Sequence, residues 1–398
     1  MDTKTIDNIV WYIPFKKLRN SIRELLLYFY NKSNPDINSK YIIFNLDKSF
    51  EDRFNSIIHI SKFFNYTRTK HGDNIKELIP NYKNNILYYS DFGNIENKIQ
   101  ESYDINKIYQ VFNLLNDEYS KDIYLMQLIN YLFIGENDNI SKGIMFNLYY
   151  SHIWKYYDEL KNTKLKDVNI NDSDYSLYDL NMINIPIKLY YNYEYGIFAD
   201  FIIEQYRYKN LIKVESGDFV IDAGGYFGDT ALYFANLTGK NGKVYSFEFI
   251  EDNLKIFNKN IELNPEFQDI IEIIKKPLYS ESNKEISFFT DGSSSRISGG
   301  IGCIKYNTIS IDDFVFNNNI KKIDFIKMDI EGSEIEALKG AEKTISKFRP
   351  KLAISLYHTI NHYYDIPLLI YNIMHGYEFY FDHFKMGRGE SVLFCKPI

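Results

Sequence analysis

The sequence predicts an α/β protein in two parts. Residues 1–190 read as a mainly helical N-terminal domain. Residues 191–398 read as a doubly wound, mostly parallel Rossmann-like sheet whose last strand runs antiparallel. Three observations predict this. From about residue 195, short apolar runs alternate with helical patterns, the signature of βαβ units. A glycine-rich turn, Gly224 to Gly228, joins the first of these runs to a helix. The last two runs are too close in sequence for a crossover helix and must pair antiparallel.

Taken in order, a helix near 196–209 leads in and Phe219–Asp222 is the first strand, followed by a helix from Asp229 to Asn236. Lys243–Glu248 is the second strand, with a helix over 251–263, and Ile270–Lys275 is the third. An extra strand, Glu285–Thr290, precedes the fourth sheet strand, Ile323–Asp329, and a helix over 334–347. Lys351–Tyr357 is the fifth strand, followed by a helix near 364–375 and a strand pair, Glu378–Phe384 and Ser391–Cys395.

The N-terminal half holds few glycines and lacks this rhythm. Helical spacing is expected around 50–64, 105–133 and 144–161. Leu18, Ile22, Leu25, Leu26 and Phe29 share one helix face beside Lys16, Lys17, Arg19 and Arg23. That helix packs on its own domain or touches a membrane surface. His59, His71 and His152 are isolated and form no catalytic group.

The chain has 398 residues, 45% of them hydrophobic and 25% charged, enough to bury a core in each of two domains. Its formal net charge of −7 argues against nucleic acid as a main partner, since such binding rests on neutralising phosphates. Two cysteines, Cys303 and Cys395, exclude a disulfide scaffold and fit a reducing compartment. With no signal-peptide pattern and no 18-residue apolar run, the expectation is a soluble cytoplasmic protein. The oligomeric state is left open.

The chemistry-bearing residues gather at the carboxyl ends of the predicted strands, where open α/β sheets bind ligands. In Asp222-Ala223-Gly224-Gly225-Tyr226-Phe227-Gly228 the glycines allow a sharp turn and close ligand approach. Asp222 repels a pyrophosphate and suits a cationic amino-acid ligand. Glu248 ends the second strand 20 residues after Gly228, where a carboxylate accepts ribose hydroxyls in nicotinamide and S-adenosylmethionine sites alike. Asp329 ends the fourth strand and is a candidate for ligand binding or for positioning a nucleophile. Glu331 and Glu334 read as helix-capping groups as well as site candidates, and Glu334 chiefly as a cap. His358 follows the fifth strand and is a candidate general base. His383 is a weaker one. No dedicated metal site is assigned; Asp329 with His358 or His383 is the only combination on offer.

These elements outline the class I methyltransferase variant of the Rossmann plan. Phe219 to Thr230, Tyr245 to Phe249 and Asp324 to Glu334, with Leu338-Lys339-Gly340-Ala341 and Arg349 to Ser355 in the same order, resemble the FkbM family of S-adenosylmethionine-dependent methyltransferases. The resemblance covers roughly the last 200 residues and departs from it at Gly225-Tyr226. It implies O-methylation of a sugar, surface glycan or glycan precursor, with S-adenosyl-L-methionine as cofactor. It implies that Asp222, Gly224, Gly225, Gly228, Glu248 and Asp329 line the cofactor, with His358 or Asp329 taking the acceptor's proton. Two other readings stand beside it: an NAD(P)-dependent oxidoreductase, and a non-catalytic cofactor-fold interaction module.

Overall fold

The computed structural model describes residues 102–133, 159–170, 173–289, 296–297, 304–385 and 388–398. The basic helix around 16–29, the helix expected over 50–64, His59, His71 and His152 lie outside the described residues, as does most of the helix expected over 144–161. The chain divides into two compact units, the larger holding Asn113–Asn116, Tyr156–Phe384 and Glu390–Ile398. In the region of the smaller unit, helices span Ile105–Leu114 and Glu118–Phe133, as their spacing predicts, and Ile108, Val111 and Phe112 are the buried face of the first.

The larger unit opens with β1 (Lys164–Ile170), β2 (Ser173–Asp179) and β3 (Lys188–Tyr191), an antiparallel three-stranded sheet. The sequence reading anticipates no strands here. β1 is mostly exposed and reads Lys-Leu-Lys-Asp-Val-Asn-Ile, so its alternation is masked by polar residues on both faces. The helix expected over 196–209 is shorter: a single turn, Glu194–Ile197, runs into a π-helical turn, Phe198–Ile202, and ends.

The main sheet follows the predicted order of elements. β4 (Phe219–Ala223), β5 (Lys243–Phe247) and β6 (Ile271–Ile274) come first; β7 (Glu285–Phe289), β8 (Arg296–Ile297) and β9 (Ile304–Asn307) then form a separate small antiparallel sheet. β10 (Phe325–Met328), β11 (Lys351–Ser355), β12 (Tyr377–His383) and β13 (Ser391–Pro397) complete the large one. Its seven strands lie in the order β12-β13-β11-β10-β4-β5-β6. β4, β5, β6, β10 and β11 are parallel, while β13 runs antiparallel between β11 and β12. That is the class I methyltransferase sheet.

Burial explains the sequence pattern. Val220, Ile221, Val244, Phe325, Ile326, Leu352 and Ile354 are inaccessible, as strands covered on both faces require. The helix expected over 334–347 is broken into Glu334–Lys339 and Glu342–Phe348 at Gly340. A β-carbon at Gly340 would meet the Tyr279 carbonyl oxygen at 2.2 Å, so the break lets the chain pass close to its neighbour. Among the described residues no helix is long and apolar enough to cross a membrane.

The sheet switches direction between β4, which is followed in sequence by its neighbour β5, and β10, which follows a long excursion. Ligands of open α/β sheets bind beside such a switch, outside the carboxyl ends of the strands. The loops after β4, β5, β10 and β11 all emerge at that edge.

Candidate active site

The turn after β4 is held from both sides. The amides of Gly224 and Gly225 donate to the Phe247 carbonyl at the end of β5, at 3.1 and 3.0 Å. Gly224 has φ +89°, and an added β-carbon would lie 1.9 Å from the Asp329 carbonyl oxygen. Gly228 has φ +83°, and a β-carbon there would enter the Phe257 ring. These glycines are therefore required by strand-to-strand and helix-to-turn packing, a firmer reason than the ligand approach inferred from sequence.

Asp222 is fully buried and occupied. Lys327, opposite it on β10, places its ammonium 3.1 Å away. Thr230 donates its hydroxyl at 3.0 Å and Ser246 at 2.7 Å. The same ammonium donates to the carbonyls of Ala223 and Gly224 at 3.2 and 2.6 Å. Burial opposes the Lys327 charge, but Asp222 and Asp329 outweigh it and raise its pKa. Asp222 thus shapes the turn through Lys327. Sequence reasoning missed Lys327; its signal was a lone charge inside the apolar run Phe325-Ile326-Lys327-Met328.

Glu248 is neither solvated nor free of structural work. Its Oε1 accepts the amides of Phe249 and Ile250, both at 2.7 Å, at the start of helix Glu251–Glu262. Oε2 has a 3.3 Å contact from the Asn253 amide. Burial pushes the carboxyl up to about 7, opposed by those donors.

Asp329 meets four groups. Tyr206 donates to its Oδ2 at 2.9 Å, Tyr357 to both oxygens at 3.0 Å, and the backbone amide donates to Ala223. His358 Nε2 lies 3.2 Å from Oδ1. Burial alone would raise this carboxyl; His358, Lys327 and Tyr206 hold it well below the usual carboxylate range.

His358 is enclosed by acids. Besides Asp329, its Nε2 lies 3.5 Å from Glu331, and its Nδ1 lies 2.9 Å from Glu334. Burial disfavours the charged ring, but Glu334 and Asp329 together raise its pKa well above the ordinary value. Glu331 is the most exposed of the acids, at 34% of its side chain, and its φ of +54° is unusual for a residue with a β-carbon. Burial pushes its carboxyl up to about 7, against the pull of His358. Glu334, read from sequence chiefly as a cap, is fully buried. It accepts the Ile330 amide at 2.9 Å and faces two histidines, His358 and His362. His362 was not singled out from sequence; its signal was the four-residue spacing from His358. His383 is held elsewhere, its Nδ1 2.7 Å from the Ser391 hydroxyl across β12 and β13.

A second buried group lies near the helix that follows the glycine turn. Asp229, its first residue, accepts from Tyr191 at 2.9 Å, and Asp200 in the π-helical turn accepts from Gln205 at 2.8 Å. Burial raises both carboxyls, and Asp229 adds to the shift of Asp200. Sequence reasoning missed both; Asp200 stands out only as an acid within Ile197-Phe198-Ala199-Asp200-Phe201-Ile202.

Glu248 suits an adenosyl group. Its Oε2 keeps acceptor capacity for a ribose hydroxyl, at the edge where the turn after β4 also emerges.

Comparison with known proteins gives the following. Residues 222–383 match the model of the methyltransferase FkbM domain. A methyltransferase FkbM from Methylobacillus flagellatus KT is 18% identical, with 84% of this chain and 70% of that one covered and a TM-score of 0.48. Fibrillarin from Aeropyrum pernix, solved with natively bound S-adenosyl-L-methionine, is 11% identical over 58% of this chain and 81% of that one, with a TM-score of 0.34. A putative rRNA methylase from Clostridium thermocellum is 14% identical over 46% and 89%, with a TM-score of 0.32. Over residues 222–383 this chain is similar to the methyltransferase FkbM domain.

Proposed function

We propose that this methyltransferase acts on oxygen, at a hydroxyl of a sugar, surface glycan or glycan precursor. The observation that carries the oxygen assignment is the Glu331 carboxylate. It is the most accessible acid of the Asp329–Glu331–Glu334 group, and it lies 3.5 Å from His358 Nε2. A hydroxyl must lose its proton as it attacks, and a positioned acid–base group supplies that loss. The oxygens of Asp329 already accept from two tyrosines, and His358 is buried between acids, so Glu331 is the group with room for an acceptor. Asp329 and His358, first assigned as base candidates, act here by holding Glu331 in place. The carbohydrate part rests on the family resemblance. The family match favours methyl transfer over the nicotinamide alternative.

S-Adenosylmethionine supplies an electrophilic methyl group on a sulfonium, so the protein's task is alignment and proton removal. In this reading the backbone of Gly224, Gly225 and Gly228 cradles the methionyl side. Lys327 and Asp222 fix the shape of that turn. Glu248 receives the ribose hydroxyls, and Asp329 lies beside the reacting end. No Asn-Pro-Pro-Tyr run is present to orient a planar nitrogen acceptor, which also favours oxygen.

The test combines binding and turnover. Calorimetry measures S-adenosylmethionine binding, and an acceptor screen of nucleotide sugars and glycans is read by transfer of labelled methyl. Glu331→Gln is expected to bind cofactor normally and to lose about a hundredfold or more in kcat. A product methylated at nitrogen or carbon, or full turnover by Glu331→Gln, sinks the proposal.

A further inference from the structure

Behind Glu331 lies a group that methyl transfer does not by itself call for. Glu334 opens the helix Glu334–Lys339, His358 sits in the loop after β11, and His362 opens the helix His362–Ile373. Their side chains are 0%, 7% and 5% exposed. Glu334 Oε1 lies 2.9 Å from His358 Nδ1, and Glu334 Oε2 lies 3.4 Å from His362 Nδ1. One ligand atom from each of the three residues falls within 4.8 Å of the others.

Proximity alone would be an ordinary ion-pair cluster. The second observation is that Glu334 Oε2, both ring nitrogens of His358 and His362 Nδ1 are buried and make no hydrogen bond. Each such orphan costs about 1–3 kcal/mol, and Glu334 Oε2, His358 Nδ1 and His362 Nδ1 converge on one spot. No hydrogen bond joins either imidazole Nδ1 to the carboxylate that both face. A cation at the common point satisfies them together.

We propose that Glu334, His358 and His362 hold a divalent transition-metal ion of the zinc type. Zinc–nitrogen bonds of about 2.0–2.1 Å place neighbouring tetrahedral ligands roughly 3.4 Å apart, matching the 3.4 Å between Glu334 Oε2 and His362 Nδ1. Two imidazoles with one carboxylate favour zinc and its first-row neighbours; magnesium and calcium require oxygen sets. The ring of His358 also presents Nε2 to Asp329 at 3.2 Å and to Glu331 at 3.5 Å. That is the outer carboxylate support a metal-bound imidazole commonly receives. The ion would clamp the loop after β10 to the segment after β11, and so hold Asp329 and Glu331 where the acceptor meets the cofactor. The site stands independently of which atom is methylated.

The experiment uses the untagged full-length chain, dialysed against chelator and titrated with zinc, with cobalt as a spectroscopic substitute. One equivalent per chain is expected, with cobalt showing the intense visible bands of a four-coordinate site and zinc raising the melting temperature. His362→Gln and Glu334→Gln are expected to weaken zinc binding at least tenfold, while S-adenosylmethionine binding by the same samples confirms that they are folded. Absence of a stoichiometric site, or unchanged zinc affinity in a folded variant, overturns the proposal. Loss of cofactor binding with zinc binding intact would count against the cofactor assignments alone.

Discussion

Lys327 on β10 and Asp222 on β4 face each other across the strand pair that flanks the switch point, 3.1 Å apart and both shut off from solvent. The pair joins the two strands whose loops build the site. Removing one partner leaves a buried charge uncompensated, which typically costs about 3–5 kcal/mol. Lys327→Met and Asp222→Asn are each expected to lower the melting temperature sharply and to abolish cofactor binding. The double variant should cost less than the sum, because the partners share one interaction. Strict additivity in thermal denaturation would show that the ion pair does not couple them.

Glu248 provides a pH test of the cofactor assignment. Burial pushes its carboxyl up to about 7. A ribose hydroxyl donates best to the ionised form, so S-adenosylmethionine affinity is expected to weaken as pH falls through about 7. Glu248→Gln should bind roughly tenfold more weakly, with a flatter pH profile, because about 1.4 kcal/mol is a factor of ten. A Glu248→Gln profile that keeps the same pH slope would assign the titration to another group.

Two glycines separate strain from collision. Gly217 and Gly224 both have φ near +90°, but a β-carbon at Gly217 meets nothing within 4 Å, whereas at Gly224 it meets the Asp329 carbonyl oxygen. Gly217→Ala is expected to cost only the left-handed strain of about 1–2 kcal/mol. Gly224→Ala should cost more and should displace β10 from β4. Chemical denaturation of the two variants compares them directly, and equal losses would count against the collision.

The Asp200–Asp229 pair sets a stability trend with pH. Burial, and Asp229 beside it, raise the Asp200 carboxyl well above its ordinary range. The folded chain therefore keeps protons that the unfolded chain releases above about pH 4. Stability from this pair must fall as pH rises from there. Asp200→Asn, which retains an acceptor oxygen for Gln205, should raise the melting temperature at about pH 8 and change little at about pH 4. Equal shifts at both values would clear the pair of the effect.

The tyrosines on Asp329 offer a further check. Tyr206 and Tyr357 each donate to its carboxylate, at 2.9 and 3.0 Å. A hydrogen bond to a charged group is worth about 1.5–3 kcal/mol. Tyr206→Phe and Tyr357→Phe are expected to destabilise by about that much and to slow methyl transfer more than they weaken cofactor binding. Kinetics with wild-type kcat in both variants would show that Asp329 needs no such support.

By itself the sequence determined the sheet and its ligand edge. Continuous apolar strands, the turn from Gly224 to Gly228 and the carboxylates ending the second and fourth strands are local signals. Backbone sterics and burial read them the same way in any context. Strand β1 escaped because a largely solvent-facing strand carries no apolar run. What only the tertiary structure decided was which charges meet. Asp222, a ligand candidate by sequence, pairs with Lys327, and Glu334, read chiefly as a helix cap, also faces two histidines from a buried position. Pairing across 100 residues depends on strand order and loop path, and no periodicity in the chain encodes the distance between side chains from β4 and β10, or from the loops after β10 and β11.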